Sequence, residues 1–293
     1  MTSPTIYSQA GWDGYSNATF GESREGRILV TGAGGFIGSA VVQRLRSQGR
    51  VVTALARKND LHGDCEIGPT LSSRADLRGE LMGIRTIFHA AAKTHVSKDH
   101  STRELAALEE INVLGTLNLA RQAAESNVQR FIFISSIKAN GENTDAGRTF
   151  NVDSPLSPED DYGLSKANAE AELRTLASET AMELVIIRPP MVYGPGVKGN
   201  FAAMMRAVAR GLPLPFGAVT DNRRSLVGLD NLVDLLVTCI DHPAAANQTF
   251  MVSDGEDLST ADLLRRLGVA MGKPARLLNI PPALLGAAAA MIG

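Results

Sequence analysis

The chain has 293 residues, of which 44% are hydrophobic and 20% are charged, and its formal net charge at pH 7 is −2. This composition is typical of a globular protein with a full core, and the balanced charge argues against nucleic-acid or anionic-membrane partners. Cys65 and Cys239 lie far apart without metal-type spacing, so we expect reduced thiols and a cytoplasmic protein.

The two ends of the chain differ from its middle. Residues 1–26 are rich in Gly, Ser, Thr and Asn without an apolar period, and they predict a flexible N-terminal extension that is not a signal peptide. The run PPALLGAAAAMIG (281–293) is too short to span a bilayer and predicts a docked helix.

Short apolar runs alternate with helical patterns in the middle of the chain. Strands are predicted at 28–30, 51–57, 86–92, 130–136 and 184–190, and helices after the first of these, at 105–126 and at 162–180. This alternation predicts an α/β fold with a Rossmann-like, doubly wound parallel sheet. We expect a dinucleotide-binding domain at 27–190 and a smaller, mainly substrate-binding lobe at 191–293, discontinuous and able to return strands to the sheet.

The first strand runs into the glycine-rich stretch TGAGGFIG (31–38), which precedes a helix. Glycines let the backbone turn tightly and approach a pyrophosphate, which then lies at the positive end of the helix. In this strand–turn–helix context the stretch predicts a dinucleotide site, rather than a purely structural turn, formed by Gly32, Gly35, Phe36, Ile37 and Gly38.

The end of the second strand bears on the choice of dinucleotide. Arg57 and Lys58 follow this strand, and the first carboxylate is that of Asp60. An acidic residue here suits a ribose 2′-hydroxyl, whereas an arginine suits a 2′-phosphate. NADP(H) is therefore favoured over NAD(H), unless both cations are solvated and either cofactor is accepted.

Tyr162 and Lys166 are four positions apart in a predicted helix and therefore share a face. A cationic neighbour lowers the pKa of a tyrosine from about 10, which would make Tyr162 a better proton acceptor. Ser136 ends the strand 130–136 and could hydrogen-bond the same substrate oxygen. Together these residues predict a proton relay beside a nicotinamide.

These motifs resemble the extended short-chain dehydrogenase/reductase family, in its NAD-dependent epimerase/dehydratase group. The resemblance covers about residues 27–290 and rests on TGAGGFIG (31–38), HAAAKTHV (89–96), INVLGT (111–116), FISSIKANGE (133–142), YGLSK (162–166) and RPPMVYGP (188–195). It implies that Tyr162 is the general acid/base and that Lys166 is its partner and a ribose ligand. It further implies that Asn112 completes the relay, with Ala91, Ala92 and Pro189 near the cofactor.

The resemblance also implies a UDP-linked sugar as substrate, contacted by Thr94, Ser136, Asn200, Phe216 and Arg223. Arg223 would bind the diphosphate, although Arg223 and Arg224 could instead be a solvated pair on a loop.

The chain departs from the family pattern at three places. Gly68-Pro69-Thr70-Leu71 stands where many relatives carry Gly-Asp-Leu for adenine, and Met191 replaces an asparagine. Ile137 and Lys138 stand where 4,6-dehydratases carry an Asp-Glu pair, which argues against a dehydratase. The histidines at 62, 89, 95 and 100 lack metal-binding spacing, so no metal is expected.

Three functions remain open on this basis. The first is reduction of a UDP-4-keto-6-deoxy-N-acetylhexosamine, with Tyr162 as acid, in the synthesis of surface polysaccharide. The second is 4-epimerisation of a UDP-hexose, UDP-glucose or UDP-N-acetylglucosamine, with tightly bound NAD. The third is a non-catalytic nucleotide-sensing protein; a lipid or steroid alcohol dehydrogenase is disfavoured by the arginine pair. The resemblance further implies a homodimer formed by helices 105–126 and 162–180.

Overall fold

The computed structural model describes the backbone of residues 5–8 and residues 26–57, 65–94, 101–145 and 147–286. The strands are β1 (Thr5–Ser8), β2 (Arg27–Thr31), β3 (Val52–Ala56), β4 (Glu66–Ile67), β5 (Ile84–His89), β6 (Arg130–Ile134), β7 (Glu183–Arg188), β8 (Met191–Tyr193), β9 (Leu226–Gly228) and β10 (Thr249–Ser253). The α-helices are α1 (Phe36–Ser47), α2 (Thr102–Leu108), α3 (Thr116–Glu125), α4 (Asp161–Glu179), α5 (Gly199–Ala209), α6 (Leu229–Asp241) and α7 (Thr260–Ala270).

A π-helical turn (Glu109–Gly115) joins α2 to α3, so the helix predicted at 105–126 is a continuous helical run with a wider turn in its middle. Short 3₁₀ turns follow β6 (Ile137–Ala139) and α6 (Pro243–Ala245). None of the described helices is long and apolar enough to cross a membrane.

The main sheet has eight strands in the order β1-β10-β7-β6-β5-β2-β3-β4. Every neighbouring pair is parallel except β1 and β10. From β2 the chain first moves outward to β3 and β4, and it then returns to β5 on the other side of β2. This doubly wound order confirms the predicted fold class, and it places a ligand crevice at the carboxyl ends of β2 and β5.

The sheet is buried on both faces. In β2, Ile28 and Val30 point into a core formed with α1 and α6, whereas Leu29 points into a second core formed with α3 and α4. Residues that alternate between two buried faces produce an unbroken apolar run, which is why RILVT is recognisable as a parallel strand.

The part of the chain after residue 190 is divided between the main sheet and a small lobe. After this point, β10 returns to the main sheet and α6 packs against α1 in the first core. The remaining small lobe contains β8, β9, α5 and α7 around a third cluster, to which Phe201, Leu226 and Leu263 contribute.

The expectation for the N-terminus is wrong in one part. Thr5–Ser8 forms an edge strand of the main sheet, so this stretch is not a flexible extension. Residues 9–25 lie outside the described part of the chain. At the other end, residues 282–286 form a helical turn, and residues 287–293 also lie outside the described part.

Two glycines of the turn after β2 allow close packing of the backbone. Gly32 has φ +70°, and a Cβ there would lie 2.6 Å from the backbone nitrogen of Ala91. A Cβ on Gly38 would collide with the carbonyl oxygen of Gly32. The first turn of α1 can therefore approach β2 only when residue 38 has no side chain.

We expect Gly38→Ala to lower the free energy of unfolding by about 1–3 kcal/mol because the added methyl group overpacks the turn. Gly79→Ala is the matched control, since a Cβ there meets no atom within 4 Å, and we expect a change within about 0.5 kcal/mol. Urea unfolding followed by circular dichroism measures both. Equal midpoints for the two variants would contradict the close approach.

Candidate active site

The glycine-rich turn and the start of α1 form an anion-binding geometry. Gly35 is the N-cap of α1, and no side chain caps the helix there. The first backbone N–H groups of the helix, at Phe36 and Ile37, therefore have no side-chain partner, and the positive end of the helix dipole faces the same crevice. These groups fit a diphosphate, as the sequence predicts.

The predicted cofactor residues around this turn lie on neighbouring strand ends. Ala91 and Ala92 follow β5, and the backbone of Ala91 lies against Gly32. Arg57 directly follows β3 and is exposed at the same edge of the sheet. Lys58 and Asp60 lie outside the described residues.

Tyr162 and Lys166 lie on the same face at the start of α4. Asp160 is the N-cap of this helix, and its carboxylate accepts a hydrogen bond of 2.6 Å from the backbone N–H of Gly163. The Lys166 ammonium is buried, donates to the carbonyl oxygen of Ile134 at 2.9 Å and lies 5.9 Å from the centroid of the Tyr162 ring.

The electrostatics of this pair differ from the expectation. Burial lowers the pKa of Lys166 to about 7, and the nearby Glu170 carboxylate opposes that shift. Burial, and then the charge of Asp160, raises the pKa of Tyr162 to about 12. The predicted lowering of the Tyr162 pKa by Lys166 is therefore not seen in the protein alone.

The two serines after β6 have different partners. Ser135 is buried, and its hydroxyl donates to the Glu170 carboxylate at 2.5 Å. Ser136 is only partly buried and caps the following 3₁₀ turn, where its hydroxyl accepts from the backbone N–H of Lys138 at 3.2 Å. Ser136 therefore keeps its hydroxyl hydrogen for a ligand. The next residue, Ile137, donates its N–H to the carbonyl oxygen of Pro189 at 3.0 Å.

Asn112 occupies the π-helical turn and is buried. Its side chain accepts from the backbone N–H of Lys93 at 2.8 Å and donates to the carbonyl oxygen of Lys93 at 2.9 Å. It also donates to the hydroxyl of Ser165 at 3.0 Å, and Ser165 donates to the carbonyl oxygen of Tyr162 at 2.8 Å. Asn112 thus fixes the segment after β5 to the helix that carries Tyr162, which adds a positioning contact to its predicted part in the relay.

A buried ion pair beneath this group was missed at the level of sequence. Arg188 at the end of β7 binds Glu170 through two hydrogen bonds of 2.9 and 2.6 Å, and it also donates to the side chain of Asn140 at 3.1 Å. One signal was available. An arginine that ends the buried apolar run 184–187 needs a buried partner, and Glu170 lies four residues after Lys166 on the same helix face.

His89 has a structural role, because its ring binds side chains of two neighbouring elements. Its ring nitrogens lie 2.7 Å from the Thr31 hydroxyl and 2.9 Å from the Thr116 hydroxyl, which joins β5 to β2 and α3. Burial and the charge of Lys166 lower its pKa to about 3, so the ring is neutral at physiological pH. The other three histidines considered as metal ligands lie outside the described residues.

The predicted substrate residues are more dispersed. Thr94, Asn200 and Phe216 are exposed. Arg223 donates to the carbonyl oxygens of Thr220 at 2.7 Å and Asn222 at 3.1 Å, so its guanidinium is held within its own loop. Among the described residues, no hydrogen bond or ion pair joins these four side chains to Ser136, Tyr162 or Lys166.

A cavity of about 660 Å³ opens beside the glycine turn. Gly34, Gly35 and Phe36 line one end, and the groove continues between α1 and α6. It does not include Ser136, Tyr162 or Lys166, so it is no guide to where the chemistry takes place.

Comparisons with known proteins identify the family to which the chain belongs. The model of the NAD dependent epimerase/dehydratase family matches residues 28–253. A "UDP-glucose 4-epimerase" from Vibrio cholerae is 49% identical over 258 residues, which cover 87% of this chain and 78% of the relative.

Solved structures give the same result. A short-chain dehydrogenase/reductase superfamily protein from Agrobacterium tumefaciens with bound NAD is 26% identical, with a TM-score of 0.73 over 87% of this chain and 86% of that one. A UDP-glucose 4-epimerase from Thermotoga maritima with UDP-glucose is 25% identical, with a TM-score of 0.72 over 87% and 86% of the two chains. The fold, the strand-end motifs and the family match lead to one conclusion: this chain is an enzyme of the NAD-dependent epimerase/dehydratase family.

Proposed function

We propose that the protein is an NAD-dependent UDP-sugar 4-epimerase. The observation that carries the proposal is the identity of 49% with the V. cholerae epimerase over most of both chains. This reverses the order expected from the sequence, in which a 4-ketoreductase stood first and the epimerase second. The presence of Ser136, Tyr162 and Lys166 also favours an enzyme over a non-catalytic nucleotide sensor.

The surroundings of Lys138 support this choice over a dehydratase. The Lys138 ammonium binds the carboxylates of Asp160 at 2.5 Å and Glu142 at 2.6 Å. A cation held by two carboxylates cannot supply the acid and base that elimination of water requires. The apolar side chain of Ile137 cannot supply them either.

The side chains of the site can carry out the proton chemistry of epimerisation. As the tyrosinate, Tyr162 takes the proton of the C4 hydroxyl, and Ser136 donates a hydrogen bond to the same oxygen. The glycine turn and the first N–H groups of α1 would hold NAD, which would supply a hydride acceptor and donor for C4. Tyr162 then returns the proton after the sugar has presented its other face, so the enzyme consumes no reductant.

We infer that NAD(H), rather than NADP(H), is the working cofactor. The relative from A. tumefaciens has bound NAD, and the family is described as NAD-dependent. Arg57, the residue that favoured NADP(H) at the level of sequence, directly follows β3 and is exposed at the edge of the sheet.

The test is interconversion of UDP-glucose and its C4 epimer by purified protein with no added reductant, followed by chromatography. We expect an equilibrium mixture of the two sugars and unchanged nicotinamide absorbance. Consumption of NADH or NADPH with a UDP-4-keto-6-deoxy-N-acetylhexosamine, without interconversion, would instead establish a ketoreductase.

Tyr162→Phe is the control for this assay because it removes only the hydroxyl. We expect turnover to fall by about 10²–10⁴-fold with NAD affinity nearly unchanged. Turnover equal to that of the wild type would exclude Tyr162 as the proton carrier.

Two adjacent arginines compete for the role of diphosphate ligand. Arg223 is the one expected from the resemblance, but its guanidinium is bonded to loop carbonyls. The side chain of Arg224 has no hydrogen bond or ion pair within the described part of the chain, while its backbone pairs with Leu258. The Arg224 guanidinium is therefore the freer of the two to bind phosphate oxygens.

We therefore expect Arg224→Ala to raise the KM for the UDP-sugar by about tenfold or more, because charged hydrogen bonds contribute about 1.5–3 kcal/mol. Arg223→Ala should raise it by a smaller factor. Steady-state kinetics of the two variants measures both KM values. A larger increase in KM for Arg223→Ala would show that Arg223 is the diphosphate ligand.

A homodimer through the two helical segments stays a prediction. Leu105 on α2, Leu114 on the π turn and Leu164 on α4 are 38%, 39% and 48% exposed. Apolar side chains on these two segments suit the packing of a second copy. We expect sedimentation analysis to give a dimer and Leu164→Glu to give a monomer; a monomeric wild type would contradict the proposal.

A further inference from the structure

Lys138 contacts both the turn that carries Ser136 and the helix that carries Tyr162, through different atoms. It lies in the 3₁₀ turn that follows Ser136, and its backbone N–H donates to the Ser136 hydroxyl at 3.2 Å. Its carbonyl oxygen lies against the first turn of α4, where a Cβ on Gly163 would be only 2.5 Å away. The turn that carries Ser136 and the helix that carries Tyr162 are thus in direct contact.

The side chain of Lys138 reinforces that contact. Its ammonium lies 2.5 Å from one carboxylate oxygen of Asp160, and the other oxygen accepts the N–H of Gly163 at 2.6 Å. The Glu142 carboxylate binds the same ammonium at 2.6 Å. All three charged side chains are partly exposed, so replacing one leaves no fully buried charge unpaired.

We propose that Lys138 is a positioning residue for catalysis. Its ion pair with Asp160, the N-cap of α4, is here called the clamp, and it holds Ser136 and Tyr162 at the correct distance from one substrate oxygen. This inference rests on the proposed function for its substrate. It assigns to Lys138 a role that neither the relay nor the cofactor site includes.

The clamp also has an electrostatic effect on Tyr162. The charged groups of the tyrosine's own helix are Asp160 at its N-cap and Asp161 and Lys166 on α4. On the elements packed against this helix, Lys138 pairs with Asp160 and Glu142, and Lys93 pairs with Glu104. Asp160 raises the pKa of Tyr162. A cation held on that carboxylate offsets part of its charge, so removing the cation should raise the pKa further.

The test is the pH dependence of the first hydride transfer in Lys138→Met, with bound NAD and UDP-glucose in single-turnover conditions. We expect the rising limb of the plot of rate against pH to move to higher pH by about half a unit, because the Lys138–Asp160 pair is partly exposed and its effect is screened by solvent. We expect kcat to fall severalfold and the KM to stay within about twofold, since general acid–base catalysis depends on the alignment of the proton donor.

Three further variants separate positioning from general loss of charge. Lys138→Arg keeps the positive charge, so the midpoint of the rising limb should lie at the same pH as in the wild type. Asp160→Asn keeps the helix cap but removes the negative charge, so adding Lys138→Met in that background should cause no further shift in pH. Lys273→Met, which removes a distant exposed lysine, should leave the profile unchanged.

A wild-type profile in Lys138→Met, or an equal shift in the Asp160→Asn background, would overturn the proposal. If the wild type interconverts no UDP-sugar, the proposed function fails by itself. The clamp is then tested without substrate, through the tyrosinate absorbance of the NAD-loaded protein minus that of its Tyr162→Phe variant. The titration of Tyr162 should still move to higher pH in Lys138→Met, and an unchanged titration would overturn the clamp.

Discussion

The geometry of the site depends on the ion pair between Glu170 and Arg188, which is buried beneath it. Glu170 has no solvent-exposed side-chain surface, and the Arg188 side chain is 4% exposed. Two ions taken out of water are stable together only when hydrogen bonds satisfy their remaining atoms, and Ser135 and Asn140 supply those bonds here. Removing one partner of such a pair typically destabilises a protein by about 3–5 kcal/mol.

This pair joins the elements that carry the reacting groups. Glu170 belongs to the helix of Tyr162 and Lys166, Ser135 precedes Ser136, and Arg188 precedes Pro189. A shift of any one strand end would break a hydrogen bond in a medium of low polarity, where the loss is large. The parallel sheet brings these strand ends to one edge, and the buried pair fixes their relative positions.

The burial that gives this rigidity also sets the charge of Lys166. An ammonium surrounded by apolar groups loses hydration, which lowers its pKa to about 7, while Glu170 partly compensates. The same burial keeps Tyr162 protonated in the protein alone. A cation beside a phenol favours its ionised form, so the positive charge of a bound oxidised nicotinamide would oppose this rise in the pKa of Tyr162.

The sequence was sufficient for those features that depend on short-range pattern. The strand at Ile28, the glycine turn and the helix at Tyr162 follow from apolar runs, glycine spacing and helical periodicity, and the structure has all three. A single sequence contains no such signal for contacts between distant segments. The Lys138–Asp160 pair belongs to this second class. For the Glu170–Arg188 pair, the sequence indicates only that Arg188 needs a buried partner.

Local conformation caused the remaining differences. The π-helical turn at Glu109–Gly115 has the same residue types as an α-helix and differs from it in its backbone hydrogen bonds, which join residues five apart. The expectation that Arg223 faces a ligand depended on position in a motif, whereas its side-chain direction depends on the carbonyl groups of its own loop.

The antiparallel strand β1 gives the N-terminal segment a protective function. Without it, β10 would be the edge of the main sheet and would present unpaired N–H and C=O groups along the stretch from Thr249 to Ser253. Such an edge is a template for pairing with other chains. The strand β1 covers this edge. Removing residues 5–8 would expose the β10 edge and lower the solubility of the protein, although these residues are far from the catalytic residues in sequence.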